Sequence, residues 1–329
     1  MLDFNSILKN DSAPTATAAT LKEFWDKALF NPWQEVKQRP CKTIRGEFVR
    51  LGWHLSNSGL EIPNDTLSKI SEIIETLHLG SLIVDDIEDN SLERRGGPTM
   101  HKMYGVPMAL NLGNFLYFQA LHLISTLQVS ADYKNAAMNQ VSVTLRDAHL
   151  GQALDVAIAI DEVCRTKIPK LVETSIRLKS GALMKLSIHL GALLNPDFNK
   201  WDELHRFGEA FGSCLQKFDD IGNFTTDKAS KKQLEDLMLR RPSWIWSTFS
   251  ELATDTEWIQ FTKAVRSLPD ITELENFLNS SSLKKQSFEM ACTDLEENIN
   301  ILQKDFCLSK TDPAFEIATK LTKKLTHAY

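Results

Sequence analysis

The chain has 329 residues, 43% hydrophobic and 24% charged, which is enough apolar material for a large buried core. Its net charge of −6 argues against a nucleic-acid surface, and no run reaches the about 18 apolar residues a membrane span needs. The five cysteines (Cys41, Cys164, Cys214, Cys292, Cys307) form no CxxC pair; with no secretory signal at the N-terminus, they fit a reducing, cytoplasmic compartment.

Residues 1–20 read as a flexible leader and 21–329 as one domain. A short helix over 21–29 precedes Pro32. Residues 42–55 form a helix, because Ile44, Phe48, Leu51 and Leu55 recur at three and four. Pro63 and Asn64-Asp65 break the chain before a long helix with the stripe Ile70, Ile73, Ile74, Leu77, Ser81 and Val84. That helix ends in Asp85-Asp86-Ile87-Glu88-Asp89 and empties into a loop with Arg94-Arg95-Gly96-Gly97-Pro98. Helices are predicted from Pro107 to about Leu127, Tyr133 to Val156, Pro169 to Leu194 and Lys200 to Asp220. A polar stretch over 225–232 and a tail with breaks at Pro269, 280–282 and Pro313 complete the chain. Hardly any alternation of period two is present. The prediction is an all-α, single-domain bundle of about ten or more helices.

Four acidic residues in five positions at the end of an apolar helix need a reason, since burying a carboxylate is costly unless it is paired or bound to metal. Asp85 and Asp89 stand one turn apart and could share a hard cation such as Mg²⁺; a solvated acidic helix end is the plain alternative. His78 lies on the same face, roughly 10 Å down the axis. A second apolar helix delivers Asp219-Asp220, with Asn223 one turn on. Two such endings suggest helices facing each other across a cavity with metals between. Cations accompany both: Lys42 and Arg45 at i, i+3, Arg94 and Arg95 after the first motif, Lys179-Ser180 mid-helix, and Lys231, Lys232, Arg240 and Arg241 after the second. Carboxylates for metal beside arginine and lysine suit a polyphosphate ligand, although any one of these cations reads equally as ordinary surface charge. His149, Gln152 and Asp155 fall on one side of a helix, as a cavity wall or as a buried polar cluster.

Taken in order, these residues resemble the trans-isoprenyl diphosphate synthases, most of all the eukaryotic-type geranylgeranyl diphosphate synthases. The likeness is carried by His78, the first aspartate motif, Leu92-Glu93-Arg94-Arg95-Gly96, Pro98-Thr99-Met100-His101, Tyr104-Gly105-Val106-Pro107, Gly151-Gln152-Ala153-Leu154-Asp155, Lys179-Ser180-Gly181, and Gln216 before Asp219-Asp220-Ile221-Gly222-Asn223. It runs from about Pro40 to Trp244. The last ~80 residues carry little of it. The resemblance implies an isoprenoid-synthase-like bundle around a central cavity, and a homodimer. Its reaction condenses isopentenyl diphosphate with an allylic diphosphate. Lys42, Arg45, His78 and Arg95 would bind isopentenyl diphosphate. Asp85, Asp89 and Asp219 would hold Mg²⁺, three ions per active site, on the allylic diphosphate, with Asp86, Asp220 and Asn223 in support. Arg94, Lys179, Ser180, Gln216, a lysine of the 231–232 pair such as Lys232, and Arg241 would contact that diphosphate. Small residues at Gly80 and Ser81 would leave the product pocket open, and Tyr117, Phe118 and His149 would form its deeper floor, implying a C20 product.

Several positions depart from the family pattern. Thr43 replaces an arginine common in bacterial members, Ser180 a threonine, and Arg241 a lysine; Pro242-Ser243-Trp244 is closer to the farnesyl enzymes; and Val156 to Ile160 replaces an aromatic-rich segment. Two rival functions share most of this chemistry. A class I terpene cyclase has the first aspartate motif, and Asp219, Asn223 and Asp227 imitate its second, but it has no use for the Lys42, Arg45, His78 and Arg95 set. A non-catalytic subunit of a larger synthase typically loses aspartates that this chain keeps.

Overall fold

The computed structural model describes residues 21–40, 43–56, 61–224 and 234–326. The helices, in chain order, are α1 (Asn31–Gln38), α2 (Ile44–Ser56) and α3 (Asn64–Glu88). A two-residue hairpin follows, β1 (Glu93–Arg94) and β2 (Gly97–Pro98). Then come α4 (Met100–Tyr104), α5 (Val106–Thr126), α6 (Ala131–Ala157), α7 (Ile168–Ile176), α8 (Ala182–Ala192), α9 (Trp201–Asn223), α10 (Glu235–Met238) and α11 (Trp244–Leu252). The tail folds as α12 (Asp255–Arg266), α13 (Thr272–Ser280), α14 (Leu283–Asp305) and α15 (Pro313–Thr326). The all-α expectation holds.

Two local features depart from the predicted helices. The long helix over 169–194 is interrupted by a π-helical segment, Arg177–Gly181. Such bulges insert a residue into the helical ladder and recur at functional sites. The second aspartate motif lies inside the last turn of α9, which runs on to Asn223, rather than beyond the helix.

The chain divides into two compact units, residues 1–42 with 75–123, and 43–74 with 124–329. In the first, Trp33, Val36, Leu79, Ile83, Met100, Ala109, Leu112 and Leu116 form the core. Here α3 and α5 approach very closely: a Cβ on Gly80 would lie 2.9 Å from the Gly113 carbonyl, and one on Gly113 would lie 2.9 Å from a Val84 methyl.

In the second unit, α2 and α8 touch backbone to backbone. A Cβ on Gly52 would fall 2.0 Å from the Ile188 carbonyl oxygen, and one on Gly191 1.9 Å from that of Val49. Only glycine permits that approach. Around it, Phe48, Phe207 and Phe211 stack together, and Phe218, Trp246, Phe249 and Phe261 extend the same core toward the C-terminal helices. The C-terminal residues that carry no recognisable motif cover α9 and α11. Lys217 pairs with Asp294 of α14, and the Trp244 indole donates to the Ser287 carbonyl at 3.0 Å.

Candidate active site

Carboxylates at a helix C-terminus meet the negative end of the backbone dipoles and need an external cation. At the end of α3 that cation is Arg94. Its Nε donates to Asp86 Oδ1 at 2.6 Å, and its Nη2 reaches Asp85 Oδ2 at 3.2 Å. The Asp86 side chain is 4% exposed and that of Asp85 19%, so this pair is not a solvated helix end. Asn90, in the left-handed region at φ 53°, stops the helix, and the Ser91 amide donates to the Asp86 carbonyl at 3.0 Å. The hairpin then returns Arg94 to the acids. Its two turn residues, Arg95 (φ 53°) and Gly96 (φ 78°), are both left-handed, the tight turn that matches strand twist. Arg95 therefore holds a conformation unusual for a side chain with a Cβ.

His78 is buried one turn below Ser81, whose hydroxyl donates to the His78 carbonyl at 2.8 Å. Gly80 departs from expectation. Its missing side chain does not open a pocket, because the Gly113 carbonyl and the Leu116 and Tyr117 side chains occupy that side. Tyr117 is half-buried there, and loss of solvent together with the Glu88 and Asp85 carboxylates pushes its hydroxyl pKa upward. Phe118 is 71% exposed, and His149 is exposed with Nδ1 2.8 Å from the Leu145 carbonyl of its own helix. Neither is enclosed as a pocket floor within this chain. Consecutive helical residues differ in direction by about 100°, so Tyr117 and Phe118 cannot both face inward.

The second aspartate motif belongs to a continuous polar network. Ser180, on the π-helical segment, donates to Gln216 Oε1 at 2.6 Å; Gln216 Nε2 donates to Asp220 Oδ1 at 2.8 Å; and the Trp244 amide donates to Asp220 Oδ2 at 2.6 Å. Beside it, Lys179 donates to Asp155 Oδ2 at 2.6 Å, and Arg241 Nη1 donates to the Asp155 carbonyl at 3.1 Å. Three glycines press the bulge into place. A Cβ on Gly151 would meet the Lys179 amide at 2.8 Å, one on Gly212 the Ser180 carbonyl at 2.7 Å, and one on Gly181 the Glu209 carbonyl at 2.9 Å. The expected His149, Gln152 and Asp155 cluster is thus divided: Asp155 is buried against Lys179, while His149 is exposed.

Asp220 is buried, and that burial, with Asp236 and Asp155 near it, raises its carboxyl well above the usual range, against the pull of its two donors. Asp236 was not anticipated from the sequence. It opens α10 after the polar stretch, accepts from Asn223 Nδ2 at 3.4 Å, and lines a crevice with Asp220, Asn223 and Ser243. An acidic residue preceding Arg240-Arg241 was its only signal. Asp219 and Asn223 are half-buried, as is Arg45 on α2. Lys42, Lys231 and Lys232 lie outside the described residues, as does Asp227.

The donor set fits a hard divalent cation. Asp220, Asn223 and Asp236 bring side-chain oxygens to the crevice beside the apolar Phe224, Leu234, Leu237 and Ile245, and the buried Ser243 hydroxyl in it has no hydrogen-bond partner among the described residues. Among the described residues no three acidic, histidine or cysteine side chains gather into a ready-made cage. Mg²⁺ commonly binds through one or two carboxylates and completes its shell with substrate phosphates and water.

The family description polyprenyl synthetase matches residues 26–279. The chain belongs to the polyprenyl synthetase family. This is a family of prenyltransferase enzymes, and its member here is similar to two fungal proteins. Preasperterpenoid A synthase of Talaromyces verruculosus is 32% identical over 221 residues, which is 66% of this chain and 27% of that protein. Geranylgeranyl pyrophosphate synthase 2 of Zymoseptoria tritici is 30% identical over 215 residues, 64% of this chain and 61% of that one. The match therefore spans about a quarter and about three-fifths of these relatives. A crystal structure of a geranylgeranyl pyrophosphate synthase superposes with a TM-score of 0.78 at 17% identity, covering 99% of both chains, which establishes the polyprenyl synthetase fold. No helix among the described residues is long and apolar enough to cross a membrane.

Proposed function

We propose that this chain is a Mg²⁺-dependent prenyltransferase that joins isopentenyl diphosphate to an allylic diphosphate, giving a trans-polyprenyl diphosphate of C20 length, geranylgeranyl diphosphate. One observation carries the reading: each of two helices, α3 and α9, ends in aspartates of which one is buried, with arginine or lysine side chains held nearby by carboxylates. Negative groups that can hold metal, beside cations that can hold phosphate, are what a diphosphate needs.

Asp85 and Asp89 at the end of α3, and Asp219 at the end of α9, would hold the metal, with Asp86, Asp220 and Asn223 supporting them. Bound Mg²⁺ supplies charge stabilisation to a departing diphosphate. The chain's own groups do the rest. Arg94, Lys179 and Arg241 neutralise and orient the allylic diphosphate, and Lys232 would add to them. Lys42, Arg45, His78 and Arg95 grip isopentenyl diphosphate. Ser180 and Gln216 present fixed oxygens toward positive charge on the allyl carbons. No side-chain base is required, since the released diphosphate can take the proton lost from the coupled product.

The C20 length is supported by small Ser81, by half-buried Tyr117 and by the name of the Zymoseptoria relative. The family match spans both compact units, which supports reading 21–329 as one synthase domain. A homodimer is supported by Val106, Leu110 and Phe118, apolar side chains exposed along α5. A cytoplasmic location accords with the free Cys164, Cys214, Cys292 and Cys307. The relative named as a terpenoid synthase keeps a cyclase as the second reading.

Incubation of the purified chain with Mg²⁺ and C5, C10 or C15 allylic primers, with and without isopentenyl diphosphate, separates the two. Mass spectrometry should find elongated diphosphates that need isopentenyl diphosphate. Cyclised hydrocarbon from a primer alone would overturn the proposal.

A further inference from the structure

We propose that Arg39 is a positioning residue for the first aspartate motif: it grips the hairpin backbone so that Arg94 reaches Asp85 and Asp86. What Arg94 does for a substrate rests on the functional reading above; the grip itself does not.

Arg39 closes the C-terminal end of α1, and its side chain is only 9% exposed. Its Nη1 donates to two hairpin carbonyls, that of Arg94 at 3.1 Å and that of Pro98 at 2.8 Å. Its Nη2 donates to Glu35 Oε1 at 2.8 Å, and the other oxygen of that carboxylate accepts from the Tyr104 hydroxyl at 2.8 Å. The guanidinium therefore ties α1 and α4 to both strands of the hairpin. Arg39 and the Tyr104 hydroxyl hold the Glu35 carboxyl below its usual range, despite some desolvation.

The hairpin needs such an anchor. Two residues per strand and a turn with Arg95 in the left-handed region make a unit with little stability of its own. Thr99 fastens its base, through its amide to the Leu92 carbonyl and its hydroxyl to the Ser91 carbonyl. Arg39 reaches the carbonyl of Arg94 itself. Gly97 is shaped for that contact, since a Cβ there would lie 3.1 Å from the Arg39 guanidinium carbon. A planar fork serves two carbonyls and a carboxylate at once; a lysine ammonium matches that geometry poorly.

The test compares wild type with Arg39→Leu, Arg39→Lys and Tyr104→Phe. Three readouts are used: native-state trypsin cleavage after Arg94 and Arg95, steady-state kinetics with each substrate varied, and thermal unfolding. Losing charge-assisted bonds to two carbonyls should speed cleavage at these sites by at least ~10-fold in Arg39→Leu, with other sites unchanged. The kcat/KM for the allylic diphosphate should fall at least ~10-fold with it. Arg39→Lys should restore part of both, and Tyr104→Phe should move both by about two- to threefold. Cleavage at the wild-type rate would overturn the grip, and so would faster cleavage spread over all sites in step with a lower melting temperature. Local opening with unchanged kinetics would overturn the positioning role. Should Arg39→Leu not fold, the Lys and Phe variants decide by the same readouts. An inactive wild type would remove the functional reading while cleavage still judges the grip.

Discussion

Replacing Gly151 by alanine puts one methyl group where the helix should welcome it and the site should not. Gly→Ala inside a helix such as α6 ordinarily gains about 0.8–1 kcal/mol. Here the new Cβ would stand 2.8 Å from the Lys179 amide nitrogen and 2.9 Å from Leu178 Cβ, on the π-helical segment. Ordinary contact begins near 3.4 Å, so the segment must retreat by about 0.5 Å, and overpacking of this kind costs about 1–3 kcal/mol. The net loss is about 0–2 kcal/mol, a fall of a few degrees in melting temperature at most. Activity should suffer more. Asp155 sits one turn beyond Gly151 on α6, and Lys179 on the displaced segment holds it at 2.6 Å; Ser180 and its 2.6 Å bond to Gln216 move too. A misplacement of 1 Å can cost about 100-fold, so half of that should lower kcat about 10-fold. Gly46→Ala is the control, because its Cβ would meet only Ser71 at an ordinary 3.4 Å. Calorimetry and steady-state kinetics on both variants provide the assay. A Gly151→Ala enzyme that melts higher with undiminished kcat would refute the close packing of the bulge against α6.

Gly191→Ala and Gly52→Ala should each destabilise the protein by about 3 kcal/mol or more, read by denaturant unfolding, since backbone rather than a flexible side chain blocks the new Cβ. Arg95→Gly should relieve the left-handed turn and stabilise the hairpin by about 1 kcal/mol while raising KM for isopentenyl diphosphate; a variant with wild-type kinetics would exclude Arg95 from that grip. The buried His189, whose Nδ1 lies 2.8 Å from His205 Nε2, has its pKa lowered to about 3 by burial, with His205 and Lys185 adding to it. The unfolded ring takes up a proton below about pH 6.5, so stability should fall between pH 6.5 and 3, by up to ~1.4 kcal/mol per pH unit. His189→Gln should flatten that slope in chemical denaturation, and an unchanged slope would contradict the neutral buried ring.

Much of the helical framework was legible because apolar stripes and prolines mark helix bodies and breaks. Val106–Thr126, for instance, falls within a residue of its predicted ends. The π-helical segment was not, because Arg177 to Gly181 carries no local signal; the bulge is pressed into place by Gly151 and Gly212 from other helices. Small residues were ambiguous in the same way. Gly80 reads equally as an open pocket wall and as a seam between two helices, and only the position of Gly113 distinguishes them. The aspartate motifs stood out as sequence. Arg39 and Asp236 did not, since Asp236 meets Asn223 from 13 residues away and Arg39 acts through the backbone carbonyl of Arg94. The C-terminal helices look featureless because their contribution is cover: Ser287 and Asp294 secure Trp244 and Lys217 beside the second motif.

The proposed enzyme couples diphosphate departure to carbon–carbon bond formation, and both can be counted in one reaction. With Mg²⁺, an allylic diphosphate and isopentenyl diphosphate, the enzyme should release one diphosphate for each isopentenyl unit incorporated, and none when isopentenyl diphosphate is withheld. Release without incorporation, or neither, would contradict the account.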